Sequence, residues 1–103
     1  MDKLLIKPEH IQMLNDIFKS YCPKAEIWAY GSRLNGNAHE GSDLDLVVKR
    51  FNSDECNIIN LQDILKNSNI PFIIDIHTFD SMPNSFQDEI LKNYIVIYNG
   101  QTV

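Results

Sequence analysis

Two aspartates one residue apart, Asp43 and Asp45, stand in a run of strand-forming residues, Ser42-Asp43-Leu44-Asp45-Leu46-Val47-Val48. Side chains at i and i+2 of a strand share a face, so the sequence predicts two carboxylates side by side. Like charges that close raise each other's cost of ionisation, which is relieved if a cation lies between them. Hard oxygen ligands suit Mg²⁺. An Asp-x-Asp pair on its own is most often a solvated strand face or a turn, and a second feature upstream sharpens the reading. Gly31-Ser32 follows directly on the apolar run Ile27-Trp28-Ala29-Tyr30. A glycine leaving a strand permits close backbone approach. The serine adds a hydroxyl and N–H groups suited to an anionic phosphate. A phosphate-gripping turn ahead of a metal-binding pair is machinery for nucleotide chemistry.

A third carboxylate is predicted from Phe72-Ile73-Ile74-Asp75-Ile76-His77. A charge within an apolar run is costly unless it is paired or bound to metal. Alternation puts Ile73, Asp75 and His77 on one face and Phe72, Ile74 and Ile76 on the other. Asp80 is the rival, but it follows the strand and precedes a helix, where capping accounts for it. His77 reads as a structural histidine at the sheet rim. Arg33 and His39 lie in the loop between the two motifs. A solvated side chain is the commoner fate there, and Arg33 is the better candidate for a phosphate contact.

These residues must be positioned by regular elements. Pro8 to Tyr21 reads as a helix, with proline in its first turn and Ile11, Leu14, Ile17, Phe18 and Tyr21 at helical spacing. Ala25 to Tyr30 is the first strand, and Ser32 to Gly41 is a loop rich in Gly, Asn and Ala. Leu44 to Lys49 is the second strand, turning Leu44, Leu46 and Val48 to the core opposite the carboxylates. A second helix is expected from the Asn52-Ser53 cap to about Asn67, burying Ile58, Leu61, Ile64 and Leu65. Phe72 to His77 is the third strand. Pro83 to Asn93 is the last helix, with Phe86, Ile90, Leu91 and Tyr94 as its buried side, and Tyr94 to Tyr98 the last strand. The order is α-β-β-α-β-α-β: an α/β (α+β) domain with a small mixed sheet, helices on one face and the carboxylates on the other.

The chain of 103 residues suits a single domain, 1–103. Its apolar share of 44% and charged share of 22% are those of ordinary globular proteins. No segment approaches the ~18 apolar residues of a membrane span, and Met1 to His10 is too short in apolar residues for a signal peptide. A cytoplasmic protein is expected, with Cys22 and Cys56 as reduced thiols. Nine Lys and Arg against a net charge of −5 argue against a nucleic-acid polymer as direct substrate, because backbone tracking needs a basic surface. A mononucleotide that arrives with Mg²⁺ brings its own counter-charge.

Gly31-Ser32, then Gly36 and Ala38, then Ser42-Asp43-x-Asp45-Leu46 resemble the signature of the DNA polymerase β-like nucleotidyltransferases, most closely the minimal nucleotidyltransferases (MNT). The resemblance runs from the first helix to the C-terminus. It implies the polymerase β-like fold and two-metal nucleotidyl transfer from ATP. Asp43, Asp45 and Asp75 would be the catalytic and metal-holding residues; Gly31, Ser32, Arg33 and Ser42 would bind the nucleotide. It also implies a partner. MNT proteins pair with a small helical HEPN-domain protein, many pairs being toxin and antitoxin, and some members add AMP to a tyrosine of the toxin. Two other readings stay open: a non-catalytic subunit that neutralises its HEPN partner by contact, and a transferase acting on a small molecule such as an aminoglycoside.

Overall fold

The first helix begins where Lys7, in extended conformation, hands the chain to Pro8, and it runs Pro8–Tyr21 (α1). Proline suits this place because its missing N–H is one that a first turn leaves unpaired anyway. Leu14 and Phe18 are its fully buried residues, and Cys22 closes it by donating its N–H to the Phe18 carbonyl at 2.8 Å. The computed structural model describes residues 6–31 and 44–100. After α1 come β1 (Glu26–Tyr30), β2 (Leu44–Arg50), α2 (Ile58–Lys66), β3 (Ile74–Thr78), a 3₁₀ turn (Phe79–Ser81), α3 (Asn84–Lys92) and β4 (Ile95–Asn99). This is the expected order.

The strands form one mixed sheet in the order β3-β2-β1-β4. β1 pairs antiparallel with β2 and with β4, whereas β2 and β3 are parallel. The parallel pair needs a crossover, which α2 supplies. The outer carbonyls of β3 are engaged: Gln62 of α2 donates to the Ile76 carbonyl at 2.8 Å, and the Ser81 hydroxyl donates to that of Thr78 at 2.8 Å.

Strand alternation sorts the core into two layers. Ile27, Ala29, Leu44, Leu46, Val48 and Ile76 meet Leu14 and Phe18 of α1 and Leu61 and Leu65 of α2 on one face. On the other, Trp28, Tyr30 and Val47 meet Phe79 of the 3₁₀ turn and Ile90 of α3. So α1 and α2 take the face expected for helices, and α3 reaches over part of the opposite one.

Two local expectations are corrected. The second helix begins not at Asn52-Ser53 but at Ile58, capped by Asn57, whose side chain accepts the Asn60 N–H at 2.8 Å. Asn52 has a φ of 59° and spends its side-chain amide on the Lys24 carbonyl, while the Ser53 hydroxyl accepts the Glu55 N–H in a turn of its own. In α3 only Ile90 is buried; Phe86 and Leu91 are half exposed.

Burial, with Cys56 as the second cause, pushes the Cys22 thiol from 9.0 up to about 12. The folded value lies above the unfolded one, so the stability linked to this thiol is fully present below about pH 9 and is lost as pH rises towards 12. The slope is at most ~1.4 kcal/mol per pH unit for one proton. Urea denaturation of Cys22→Ala from about pH 8 to about pH 10.5 should therefore show a shallower alkaline decline than wild type, whatever the substitution costs at neutral pH. Parallel declines would mean that Cys22 is not the group responsible.

Candidate active site

β1 ends at Tyr30 and the chain leaves it through Gly31 at a φ of 89°, a conformation open to glycine at little cost. A Cβ at this position would also run into the Asp45 carboxylate, its nearest contact being Oδ2. The turn and the carboxylate therefore pack directly on each other, and any larger residue must displace one of them.

The register places Tyr30 of β1 opposite Asp45 of β2, and Asp45 opposite Asp75 of β3. Three neighbouring strands thus contribute one row, Tyr30–Asp45–Asp75, to one face. The next row along the strands is Trp28–Val47–His77. Asp45 is partly buried and Asp75 exposed. His77 lies two residues along β3 on the same face, and its Nε2 lies 2.8 Å from Asp75 Oδ1, a contact that orients the carboxylate.

The Tyr30 phenol is pushed up to about 12, first by burial and then by the negative charges of Asp45 and Asp75. At neutral pH it is a neutral O–H beside two carboxylates. Sequence reasoning missed this residue. Its place directly before Gly31 and its i+2 relation to Trp28 were visible, but its alignment with Asp45 depends on the β1–β2 register.

Of the residues expected to act, Gly31, Asp45 and Asp75 are brought together. Asp43, Ser32, Arg33 and Ser42 lie outside the described residues, as does His39. Among the described residues no three His, Cys, Asp or Glu side chains form a metal-binding group. The two carboxylates that do face each other offer the oxygen donors a hard divalent cation takes, and a third carboxylate on the same face would complete such a set. The donor chemistry fits Mg²⁺.

Comparison with known proteins bears on what this arrangement does. The family described as "Polymerase beta, Nucleotidyltransferase" matches residues 12–102. The "Probable protein adenylyltransferase MntA" of Haemophilus influenzae is 30% identical over 96 residues, which span 92% of this chain and 84% of that protein. A solved structure described as "Crystal structure of the toxin-antitoxin with AMP-PNP" superposes with a TM-score of 0.69 at 18% identity, covering 92% of this chain and 76% of that one; at that identity the likeness concerns the fold. The match across nearly the whole chain and the glycine turn set against paired strand carboxylates agree: this chain belongs to the polymerase β nucleotidyltransferase family and is a nucleotidyltransferase.

Proposed function

We propose that this protein transfers AMP from ATP, with Mg²⁺, to a tyrosine hydroxyl of a small helical HEPN toxin and so acts as its antitoxin. The observation that carries this reading is the Tyr30–Asp45–Asp75 row with the Gly31 turn packed against Asp45. The relative named a probable protein adenylyltransferase supports AMP as the group and a protein as the acceptor. The neighbour described as a toxin–antitoxin with AMP-PNP supports the setting.

In this reading Gly31 leaves the backbone clear for the outer phosphates, for which Ser32, Arg33 and Ser42 would be further ligands. Asp43, Asp45 and Asp75 would hold two Mg²⁺ ions, which when bound neutralise phosphate charge and favour ionisation of the acceptor hydroxyl. His77 holds Asp75 in place by its hydrogen bond. Tyr30 stays protonated and adds no further charge to the row. The acceptor oxygen bonds to the α-phosphorus, the bond from that phosphorus to the bridging oxygen breaks, and pyrophosphate leaves. The acceptor proton passes to solvent.

The net charge of −5 favours a partner with a basic surface over a nucleic-acid strand. Among the described residues no helix is long and apolar enough to cross a membrane, in keeping with a cytoplasmic site of action. Incubation with ATP, Mg²⁺ and the HEPN partner, followed by intact-mass analysis, should show one or more AMP units on the partner. Loss of toxicity with no added mass would replace this reading with neutralisation by contact. AMP found on an aminoglycoside instead would make the acceptor a small molecule.

A further inference from the structure

Phe86 lies in the first turn of α3, four residues ahead of the buried Ile90, on the stripe that helical spacing would turn inward. It is nevertheless 50% exposed. Its ring meets that of Tyr30 edge-to-face, with centroids 6.3 Å apart and planes at 84°. Tyr30 is the β1 member of the row that contains Asp45 and Asp75. Phe86 therefore stands one aromatic ring away from the carboxylates and from the Gly31 turn.

A nucleoside triphosphate with its phosphates at Gly31 and the carboxylates extends its sugar and base away from them, and among the described residues the surfaces flanking the row are those over β3 and over β1. On the β3 side Asp75 is engaged by His77, and the exposed neighbour is the aliphatic Ile73. On the β1 side the exposed surface is an aromatic ring already held at a fixed angle. Exposed rings bind bases by stacking, with little regard to base identity. We propose that Phe86 is the platform on which the base of the bound nucleoside triphosphate stacks, with Tyr30 bracing the ring. This rests on the nucleotidyl-transfer reading above and adds a base subsite to it. The exposed Val96 pairs with Trp28, one row farther from the carboxylates, and the exposed Tyr94 is stacked on the Trp28 ring, so neither is part of the subsite.

The test is to titrate wild type, Phe86→Ala and Phe86→Trp with Mg–ATP and with Mg–tripolyphosphate, which has the phosphates but neither sugar nor base. Phe86→Ala should lose about tenfold in ATP affinity, the scale of one stacked base, and nothing in tripolyphosphate affinity. Phe86→Trp should restore ATP binding. Phe86 is half exposed, so both variants should melt close to wild type. Unchanged ATP affinity in Phe86→Ala, or equal losses for the two ligands, overturns the proposal. So does an alanine variant that keeps ATP but no longer binds the acceptor protein, which would make the ring a docking contact. Failure of the transfer reading looks different: wild type would bind ATP with the Phe86 dependence intact yet add no AMP to any acceptor. If wild type bound neither ligand, both readings would fall.

Discussion

Gly31→Val should bind Mg–ATP at least about a hundredfold more weakly than wild type, a loss of about 2.7 kcal/mol. Two costs fall on one position. A branched side chain at a φ of 89° carries roughly 1–3 kcal/mol of backbone strain, and its Cβ would occupy the space of the Asp45 carboxylate. The turn relieves both by moving, which fills the approach to the phosphate site and displaces a carboxylate of the row. Gly31→Ala meets the same contact with less bulk and should fall between. Isothermal titration with Mg–ATP measures the loss, and circular dichroism confirms that the sheet survives. Near-normal ATP binding by Gly31→Val would put the phosphate site elsewhere.

The second large effect is on the chemistry. Asp45→Asn and Asp75→Asn should each lower AMP transfer by about a thousandfold or more, beyond the ~10–100-fold that outer partners of a metal site typically cost. The two carboxylates face each other across a parallel pair and would act on the same phosphate, so their losses should not multiply. The double variant should be little worse than the worse single one, as for catalytic groups that work as a unit. Single-turnover transfer rates at saturating ATP test this. Fully multiplicative losses would mean that Asp45 and Asp75 serve separate steps.

Much of this was legible in the sequence, for identifiable reasons. The first helix is bounded by Pro8 and Pro23, residues that impose their own geometry, and its observed limits are the expected ones. Alternation in β2 and β3 was enough to set Asp45 and Asp75 apart from Leu44, Leu46 and Ile76. What alternation could not supply was the pairing of strands. Same-face residues on two strands become neighbours only if the strands are adjacent and in register, and Tyr30 entered the site by that route alone. The start of α2 was misplaced because Asn52 and Ser53, both good caps, form local turn contacts instead. The burial of Phe86 and Leu91 was overestimated because α3 has sheet beneath only part of its length, and a helical stripe does not reveal what it will lie on.

The parallel pairing of β2 with β3 also bears on how the protein acquires its activity during folding. β1 and β2 can close on each other as a hairpin-like pair, but Asp75 reaches Asp45 only after α2 has formed the crossover and β3 has docked. Contacts between segments so distant in the chain are the slow ones to form, because the loop between them must be ordered first. Docking β3 also brings two negative charges together, so that step runs against electrostatic repulsion as well as chain entropy. A partly folded chain in which β3 has not yet docked on β2 therefore carries the aspartates without the paired site.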